Sequence, residues 1–261
     1  MKPTLLIDGD LILYKATSAV EVDWRCDNDN HILFSNAAEA FELFERQIEG
    51  FKLALGADEL IIAFTKGQSF RNEVFPTYKA PRIGTRKPLA FADVRERAEA
   101  KYMCHHMFGL EADDLLGIWA TNGSFDNPII VSEDKDLKTI PCKLYRQNEL
   151  IEITEEEANY NFMFQTLAGD STDGYPGCPG VGPVKAEKVL DAVYESTPFS
   201  GCADPEALIW EAVVKTYEKA GLTEEDALVQ ARCARILRAS DYDTKNAKPI
   251  LWTPPKGIKN D

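Results

Sequence analysis

The stretch TLLIDGD, residues 4–10, is a short apolar run that ends in two acids separated by one glycine. A run of this length that meets turn residues is typical of a buried β-strand. We therefore predict a strand over Leu5–Ile7 with Asp8 at its carboxyl end. Because acids appear so early, the N-terminus does not resemble a secretory signal peptide.

Two more short apolar runs also predict buried strands. We predict strands over residues 59–64, ELIIAF, and over residues 129–132 in NPIIVSEDKD. Between the first two strands, apolar residues spaced by three or four predict a helix over 36–55. Alternating strands and helices indicate an α/β fold with a central, mainly parallel sheet flanked by helices. Ligands bind such sheets beyond the carboxyl ends of the strands.

The pattern becomes helical after residue 153. TEEEANYNFMFQTL, which starts at Thr154, and TEEDALVQARCARIL, residues 223–237, each open with a capping box. PILW, residues 249–252, predicts a closing strand. We therefore expect an α/β core over residues 1–153 and a helical region over residues 154–261 that packs on it.

Composition and charge limit the class of protein. The chain has 261 residues, a net charge of −14 and no apolar run long enough to span a membrane. Its six cysteines form no C-x-x-C pair and are typical of reduced thiols in a cytoplasmic protein. The negative charge alone argues against binding nucleic acid, but local clusters of charge decide this more reliably than the sum.

Acidic residues collect in short groups, each at the predicted end of a strand or start of a helix. In GLEADDLLG, residues 109–117, they can simply stabilise the positive end of a helix. The alternative is a metal site, because converging carboxylates repel by about 4 kcal/mol per pair near 4 Å at an effective dielectric near 20. Mg²⁺ and Mn²⁺ prefer such oxygen ligands. The candidate ligands are Asp8, Glu111, Asp113, Asp114, Asp134, Asp136, Asp170 and Asp173.

A pair of bound metal ions indicates a hydrolytic reaction on phosphate esters. Two metals held about 4 Å apart can activate water and stabilise both the attacking and the leaving oxygen. Serine, histidine and cysteine residues form no readable nucleophilic triad, so the sequence does not indicate a covalent mechanism.

A basic segment provides the complementary surface. KGQSFRNEVFPTYKAPRIGTRK, residues 66–87, contains six basic residues, one acid and three interleaved aromatic residues. Cations can hold phosphates while aromatic rings stack on bases. The alternative is a solvated loop whose aromatic side chains pack beneath it. The basic residues are Lys66, Arg71, Lys79, Arg82, Arg86 and Lys87.

A second segment is rich in glycine and proline. GCPGVGPVKAEKV, residues 177–189, places Gly180 and Gly182 just before a predicted helix start, with Lys185 and Lys188 beyond it. Backbone amides at a helix N-terminus bind anions, and such a hairpin suits a sequence-independent grip on DNA. The alternative is a helix–turn–helix whose only role is packing.

The motifs IDGD, FRNEVFPTYKAPR, GLEADDLLG, VSEDKDL and LAGDSTDGYPGCPGVGPVKAEKVL occur in the order typical of the flap endonuclease (FEN) family of 5′ nucleases. The chain resembles that family over most of its length, including the nuclease domain of bacterial DNA polymerase I. Its C-terminal part, GLTEEDALVQARCARILRASDYD with PILW, resembles more narrowly the 5′–3′ exonuclease of short-tailed coliphages.

The resemblance implies a PIN/FEN-like fold with a helical arch over about residues 66–90 and a helix–three-turn–helix over residues 170–194. It implies two Mg²⁺ ions, for which Mn²⁺ can substitute, and a K⁺ ion held by backbone carbonyls near Gly180–Gly182. It implies a first-metal group of Asp8, Glu111, Asp113 and Asp134, with Asp136, Asp170 and Asp173 nearer the second metal.

Among these acids, the resemblance makes Asp8, Asp113 and Asp134 catalytic together with Lys79 and Arg82, which would contact the scissile phosphate. The aromatic ring of Tyr78 would stack on the terminal nucleotide. The expected DNA-binding residues are Lys66, Arg71, Tyr78, Lys79, Arg82, Arg86, Gly180, Val181, Gly182, Lys185 and Lys188.

One position departs from the family pattern. The family carries an acid just after the second strand, where this chain has Thr65 and Lys66 in AFTKGQ. A metal ligand is therefore missing there or is supplied through water. The role of nearby Asp10 stays open.

These observations predict a metal-dependent 5′–3′ DNA exonuclease or flap endonuclease. We expect a monomer without an obligate protein partner. The resemblance implies a phage-encoded protein that acts in the host bacterial cytoplasm on duplex, flap or 5′-ended DNA and RNA/DNA hybrids. Its expected roles are host DNA breakdown and RNA primer removal. The alternatives are a DNA-junction-binding protein with little or no catalysis, which the Thr65–Lys66 departure favours, and a metal phosphatase of small molecules, which the basic segment disfavours.

Overall fold

The computed structural model describes residues 2–25, 30–196 and 205–255 of the chain. The chain divides into two compact units. The first unit contains the residues up to Gln68, Gly84–Leu137 and Cys142–Glu152, and the second contains Ser69–Ile83, Lys138–Pro141 and the residues from Ile153 onward. Part of the predicted arch, residues 69–83, therefore belongs to the second unit by its contacts.

A six-stranded sheet forms the centre of the first unit. Its strands, in chain order, are β1 (Thr4–Asp8), β4 (Glu59–Ala63), β5 (Cys104–His105), β6 (Ile129–Val131), β7 (Lys143–Arg146) and β8 (Glu149–Glu152). The spatial order is β5-β4-β1-β6-β7-β8, and every neighbouring pair is parallel except β7 with β8. A separate antiparallel pair consists of β2 (Val22–Arg25) and β3 (His31–Phe34).

Strand β1 lies between β4 and β6 and is buried along its whole length. A strand covered on both faces needs apolar side chains at successive positions, which explains the unbroken apolar run that the sequence shows. Because β1 is parallel to both neighbours, all three strands end at the same edge of the sheet. The predicted mainly parallel sheet flanked by helices is confirmed.

Within the described residues, four α-helices belong to the first unit. They are α1 (Gly9–Val20), α2 (Ala37–Leu55), α4 (Phe91–Lys101) and α5 (Ala112–Thr121). The predicted helix over 36–55 is confirmed as α2, which Asn36 caps through hydrogen bonds from two backbone amides and Gly56 ends in the left-handed conformation. The apolar side chains of Phe44 and Ile48 on this helix are completely buried.

Helix α1 was not predicted from the sequence. It begins directly after β1, so Asp8 ends the strand as predicted, whereas Asp10 lies in the first turn of a helix and not in a loop. Asp8 is its N-cap, because its side chain accepts a hydrogen bond from the Leu11 amide. The chain thus passes from strand to helix without an intervening loop.

The second unit is mainly helical. Its helices are α3 (Arg71–Val74), α6 (Glu155–Ala168), α7 (Pro183–Ser196), α8 (Pro205–Lys219) and α9 (Glu224–Ala234). The capping boxes predicted at Thr154 and Thr223 are present. The prediction of a strand over residues 249–252 is wrong, because only Lys248–Pro249 (β10) pairs with Tyr242–Asp243 (β9).

The predicted arch segment, residues 66–90, contains the four-residue α3, a 3₁₀ turn over Ala80–Arg82 and connecting turns. Within the part of the chain that the structure describes, no helix is both long and apolar enough to cross a membrane.

Candidate metal centre and nucleic-acid interface

Asp8 lies where β1 ends and α1 begins, and it is only 5% exposed. Its Oδ1 accepts from the Leu11 amide at 3.1 Å and its Oδ2 accepts from the Ser132 hydroxyl at 2.6 Å. Burial raises the pKa of Asp8 to about 6, the two hydrogen bonds oppose this rise, and the negative charges of Asp10 and Asp134 add to it. No cation of the described residues is among the groups that shift this pKa, so they leave the carboxylate without compensating positive charge.

Gly9 allows this tight passage from strand to helix. A Cβ atom at this position would lie 2.5 Å from Cγ2 of Ile62 and 2.7 Å from the carbonyl oxygen of Ala63. Both neighbours belong to β4, so a larger residue would push the start of α1 away from the sheet. The glycine of IDGD thus holds Asp8 at the edge where the strands end.

The acids after β6 are organised by Ser132. Its hydroxyl donates to Asp8 and accepts from the backbone amide of Asp134 at 3.0 Å. Oδ1 of Asp134 in turn accepts from the Asp136 amide at 2.8 Å. The structure therefore brings Asp8 and Asp134 into one hydrogen-bonded arrangement through a serine that the sequence analysis did not select.

The acids at the start of α5 carry out the helix-capping role that we considered as the simpler explanation. Glu111 is the N-cap and Asp114 the third helical residue, and each side chain accepts from the other's backbone amide. Glu111 is 7% exposed and Asp114 is fully buried. Asp113 lies in the same turn and is partly exposed. Capping accounts for the burial of Glu111 and Asp114, and a ligand role for either stays a prediction.

Thr65 occupies the position where the family pattern has an acid. It forms hydrogen bonds with residues of three helices. Its amide donates to Oδ2 of Asp10 at 2.8 Å, and its hydroxyl accepts from the Ala112 amide at 3.0 Å. Its carbonyl accepts from Nη1 of Arg95 at 3.1 Å. Thr65 thus joins the end of β4 to the starts of α1 and α5 and to α4.

These carboxylates fit a hard divalent cation by chemistry, although they are not arranged as a closed ligand shell. Among residues 2–25, 30–196 and 205–255, no three acidic, histidine or cysteine side chains converge closely enough to hold a metal ion. Oδ1 of Asp10 is nevertheless buried without a hydrogen-bond partner in the described structure. Oxygen donors and uncompensated negative charge are the features that Mg²⁺ or Mn²⁺ requires.

A cationic pocket of about 460 Å³ adjoins the end of β4 in the first unit. Nζ of Lys66 lies 2.8 Å from Nε2 of His106, and Nε of Arg95 bonds Glu99 at 3.0 Å. Glu99 is the only acid among the described residues that line the pocket, so their positive charge exceeds their negative charge. The pocket is lined by Thr65, Lys66, Gly67, Lys87, Arg95, Glu99 and His106.

Asp173 in the second unit is surrounded by three of the expected DNA-binding residues. Its Oδ1 accepts from Nη2 of Arg82 at 2.5 Å, and its Oδ2 accepts from the Tyr78 hydroxyl at 2.9 Å. Nζ of Lys79 lies 3.7 Å from the same Oδ2. Lys79 also has a positive φ of 57°, an uncommon conformation for a lysine that often marks functional positions.

Two of the expected DNA contacts require correction. Tyr78 is 5% exposed, stacks on Tyr175 and donates to Asp173, so its ring is not presented to a terminal nucleotide. Arg71 is 2% exposed, and it donates to the carbonyls of Cys233 and Arg235 at 3.0 and 2.6 Å. Both side chains pack within the second unit because their polar atoms find partners far away in the sequence.

Arg86 forms a bidentate ion pair with Glu21 in the first unit, with N–O distances of 2.5 and 2.9 Å. The hydrogen bonds from Arg86 and the Leu89 amide lower the pKa of Glu21 to about 2. The charge of Arg86 is therefore already compensated, which reduces its attraction for phosphate.

The predicted helix–three-turn–helix begins with a tight turn at Asp170. Oδ1 of this residue accepts from the amides of Thr172 and Asp173 at 2.7 and 3.2 Å, and its backbone pairs with Tyr175. The turn is thus stabilised by the carboxylate that the resemblance assigns to metal binding.

The glycine-rich part of this motif leads directly into α7. The Val181 amide donates to the Cys178 carbonyl at 3.0 Å, and the ammonium of Lys185 donates to the Gly180 carbonyl at 2.7 Å. Gly182 precedes the helix, and Lys185 and Lys188 are exposed on it. A basic, solvent-exposed helix start is therefore present where the sequence analysis expected one.

Residues 3–162 match the family described as 5′-3′ exonuclease, N-terminal resolvase-like domain. The exodeoxyribonuclease of Enterobacteria phage T3 is 32% identical to this chain, covering 97% of it and 93% of the phage protein. The exonuclease of Escherichia phage T7 is also 32% identical, covering 97% and 94%. The chain therefore belongs to the 5′–3′ exonuclease family, as its motifs indicated.

A solved structure shares the fold. The flap endonuclease of bacteriophage T5, in a pseudo-enzyme–product complex with DNA and metal ions, matches with a TM-score of 0.57 at 16% identity. The match covers 88% of this chain and 90% of the T5 chain. At this identity the likeness concerns the architecture, and it confirms the PIN-like sheet flanked by helices.

Proposed function

We propose that this protein hydrolyses phosphodiester bonds at or near the 5′ ends of DNA with the help of bound divalent metal ions. The observation that carries the proposal is the pairing of Asp8 and Asp134 through Ser132 at the carboxyl edge of the parallel sheet. In a member of the 5′–3′ exonuclease family, acids held without compensating positive charge at this edge are suited to a catalytic cation.

Asp8, Asp113 and Asp134 are the proposed catalytic ligands of the first Mg²⁺, with Glu111 supporting them and Asp136 nearer the second ion. When bound, the metals would supply a nucleophilic hydroxide and stabilise charge on the phosphate. Ser132 holds the Asp8 carboxylate in a fixed orientation and ties it to the loop that carries Asp134. Mn²⁺ is expected to substitute for Mg²⁺ because both accept oxygen ligands.

Asp170 and Asp173 are further proposed metal ligands, and a K⁺ site is proposed near Gly180–Gly182. The resemblance places K⁺ against backbone carbonyls, one of which, that of Gly180, accepts from the Lys185 ammonium in this structure. A K⁺ ion at this carbonyl would repel the Lys185 ammonium, which would favour contact of the Lys185 charge with a DNA phosphate.

Lys79 and Arg82 are the proposed contacts to the scissile phosphate. Both interact with the Asp173 carboxylate, with side chains 25% and 50% exposed respectively. A DNA phosphate could replace this carboxylate as their anionic partner, which would leave Asp173, whose side chain is 14% exposed, with the hydrogen bond from the Tyr78 hydroxyl. Charge developing on the phosphate during cleavage would then be stabilised by these two cations.

Lys66 and the pocket that it lines are proposed to hold a phosphate of the DNA strand. The described residues that border this pocket include the cations Lys66, Lys87 and Arg95 and one acid, Glu99, so an anion is its expected ligand. Lys185 and Lys188 are proposed to contact the duplex backbone at the start of α7, together with the amides around Val181 and Gly182.

The proposed substrates, location and biological role rest on the resemblance to the family. We propose that the substrates include duplex, flap and 5′-ended DNA and RNA/DNA hybrids, and that the protein acts as a monomer in the bacterial cytoplasm. Phage origin, host DNA breakdown and primer removal belong to the same proposal. A DNA-junction-binding role without catalysis is the second candidate, and the cation at Lys66 in place of an acid is the observation that favours it.

A digestion assay separates these functions. Duplex and flap DNA labelled at the 5′ or 3′ end is incubated with Mg²⁺, Mn²⁺ or EDTA and with wild type, Asp134→Asn or Asp58→Asn. Asp58 is an exposed acid paired with Lys2, so its variant makes the same change of charge away from the proposed metal site. Product sizes then distinguish stepwise trimming from flap cutting.

Metal-dependent release of 5′ products by wild type and Asp58→Asn, lost in Asp134→Asn, supports the nuclease function. Binding of flap DNA without cleavage in either metal would overturn it in favour of junction binding.

A further inference from the structure

Asp10 has a carboxylate oxygen that no described group satisfies. Its Oδ2 accepts the Thr65 amide at 2.8 Å, whereas its Oδ1 is buried and has no hydrogen-bond partner among the described residues. Within the same residues, no lysine or arginine forms an ion pair with it. Burying a charged oxygen without a partner is costly, so such an atom indicates a missing cation or donor.

The position of Asp10 connects it to the proposed metal centre. It lies in the first turn of α1, two residues after Asp8, and its negative charge acts on the Asp8 carboxylate. Its partner Thr65 lies two residues after the end of β4, and the Thr65 hydroxyl also accepts from the first amide of α5. Asp10 is therefore fixed among the ends of β1 and β4 and the start of α5.

Strand β4 itself supplies no carboxylate at this edge. The residues after its end are Phe64, Thr65 and Lys66, which offer an aromatic ring, a hydroxyl and an ammonium. The hydroxyl of Thr65 is already used by the Ala112 amide. Since the Thr65 amide holds Asp10 beside this strand end, a carboxylate from α1 is placed where β4 has none.

We propose that Oδ1 of Asp10 is a ligand of a divalent cation bound beside Asp8, either directly or through a coordinated water. This inference rests on the metal-dependent function proposed above. In this arrangement Oδ2 anchors the side chain to the Thr65 amide, and Oδ1 supplies an oxygen donor beside Asp8 while water molecules fill the other positions around the ion. Mg²⁺ and Mn²⁺ suit the role because both favour carboxylate oxygens and retain water ligands.

The competing explanation is that Asp10 only anchors the end of β4. An asparagine at this position can still accept the Thr65 amide through its carbonyl oxygen, but it carries no charge. Asp10→Asn therefore preserves the anchoring hydrogen bond and removes the proposed ligand. Asp58→Asn is the matched control, because that acid is exposed and lies just before β4 begins.

The test is a Mn²⁺ titration of the metal-free full chain, followed by the electron paramagnetic resonance signal of free Mn²⁺. We expect Asp10→Asn to lose one bound ion or to bind it about 10- to 100-fold more weakly, a range observed when a metal site loses supporting groups. We expect Asp58→Asn to bind as wild type does. Unchanged number and affinity of bound ions in Asp10→Asn would overturn the inference while leaving the proposed function intact.

A wild-type chain that binds no Mn²⁺ would overturn both proposals together, so the two failures are distinguishable. Circular dichroism of metal-free Asp10→Asn establishes whether that variant folds. If Asp10→Asn does not fold, a crystal structure of wild type with Mn²⁺ shows whether Oδ1 of Asp10 contacts the bound ion. A metal peak bonded to Oδ1, or to a water that Oδ1 holds, supports the proposal, and a metal without either contact refutes it.

Discussion

Arg82 donates a hydrogen bond to Asp173 at 2.5 Å, and the hydroxyl of Tyr78 donates to the other oxygen of the same carboxylate at 2.9 Å. Lys79 adds a third favourable interaction with this group. One acid thus compensates the two cations proposed to contact the scissile phosphate. Removing the Asp173 carboxylate should therefore change the affinity for DNA and the rate of DNA cleavage in opposite directions.

We expect Asp173→Asn to bind DNA more tightly than wild type in EDTA, because Lys79 and Arg82 no longer share their charge with a carboxylate. A partly exposed ion pair is worth about 0.2–1 kcal/mol, which corresponds to an increase in affinity of roughly fivefold at most. Cleavage in Mg²⁺ should fall if Asp173 is also a metal ligand. Fluorescence anisotropy with labelled duplex measures the affinity.

The matched control for this experiment is Glu211→Gln. Glu211 is an exposed acid of the second unit that pairs with Lys215 four residues later on α8. Its variant makes the same change of net charge without touching Lys79 or Arg82. Equal gains in affinity for the two variants would show that only net charge matters, contrary to the expectation.

Arg71→Ala should destabilise the protein rather than weaken its contact with DNA. The substitution leaves the buried carbonyls of Cys233 and Arg235 without their donor, and unsatisfied buried groups cost about 1–3 kcal/mol each. Urea unfolding followed by tryptophan fluorescence measures the loss. The DNA affinity of the folded fraction should match that of wild type. Arg82→Ala, in contrast, should retain the stability of wild type and bind DNA more weakly.

The raised pKa of Asp8 predicts how the stability of the metal-free protein depends on pH. The folded protein holds this proton more tightly than the unfolded chain does, since the pKa rises from 3.8 to about 6 on folding. The contribution of Asp8 is therefore most favourable below about pH 4 and is lost as the pH rises through 6, by roughly 1.4 kcal/mol per pKa unit.

Urea midpoints measured in EDTA between pH 4 and pH 7, for wild type and Asp8→Asn, test this dependence. The variant has no proton to lose, so its decline over this range should be smaller. Mn²⁺ affinity of wild type should increase over the same range, because the cation binds the ionised carboxylate. Parallel stability curves for the two proteins would show that the titration belongs to other groups.

Lys66→Met should weaken binding to DNA of any sequence and reduce the slope of log affinity against log salt by about one, as expected for the loss of one phosphate contact. Binding of Mn²⁺ to the free protein should stay unchanged, because Lys66 carries no ligand atom for a cation. Lys2→Met is the control, since Lys2 is an exposed lysine that pairs with Asp58 near the start of β4. The salt dependence of anisotropy titrations measures the slope.

The amino-acid sequence by itself determined the alternation of strands and helices, the parallel sheet and the edge at which Asp8 and Asp134 lie. These features depend on local periodicity and on which side chains prefer water, and both can be read over a few residues. The capping boxes at Thr154 and Thr223 were predictable for the same reason, because their partners are three residues apart. Helix α1 escaped prediction because it starts within the turn-like motif IDGD.

Only the tertiary structure decided which charged side chains are available to a ligand. Arg71 and Tyr78 lie in a basic, aromatic segment that resembles a DNA-binding surface, yet their partners are 162 and 95 residues away in Cys233 and Asp173. The same holds for Asp10, whose partner Thr65 is 55 residues distant. Burial and hydrogen bonding across such separations depend on how the elements pack, which no local pattern of the sequence contains.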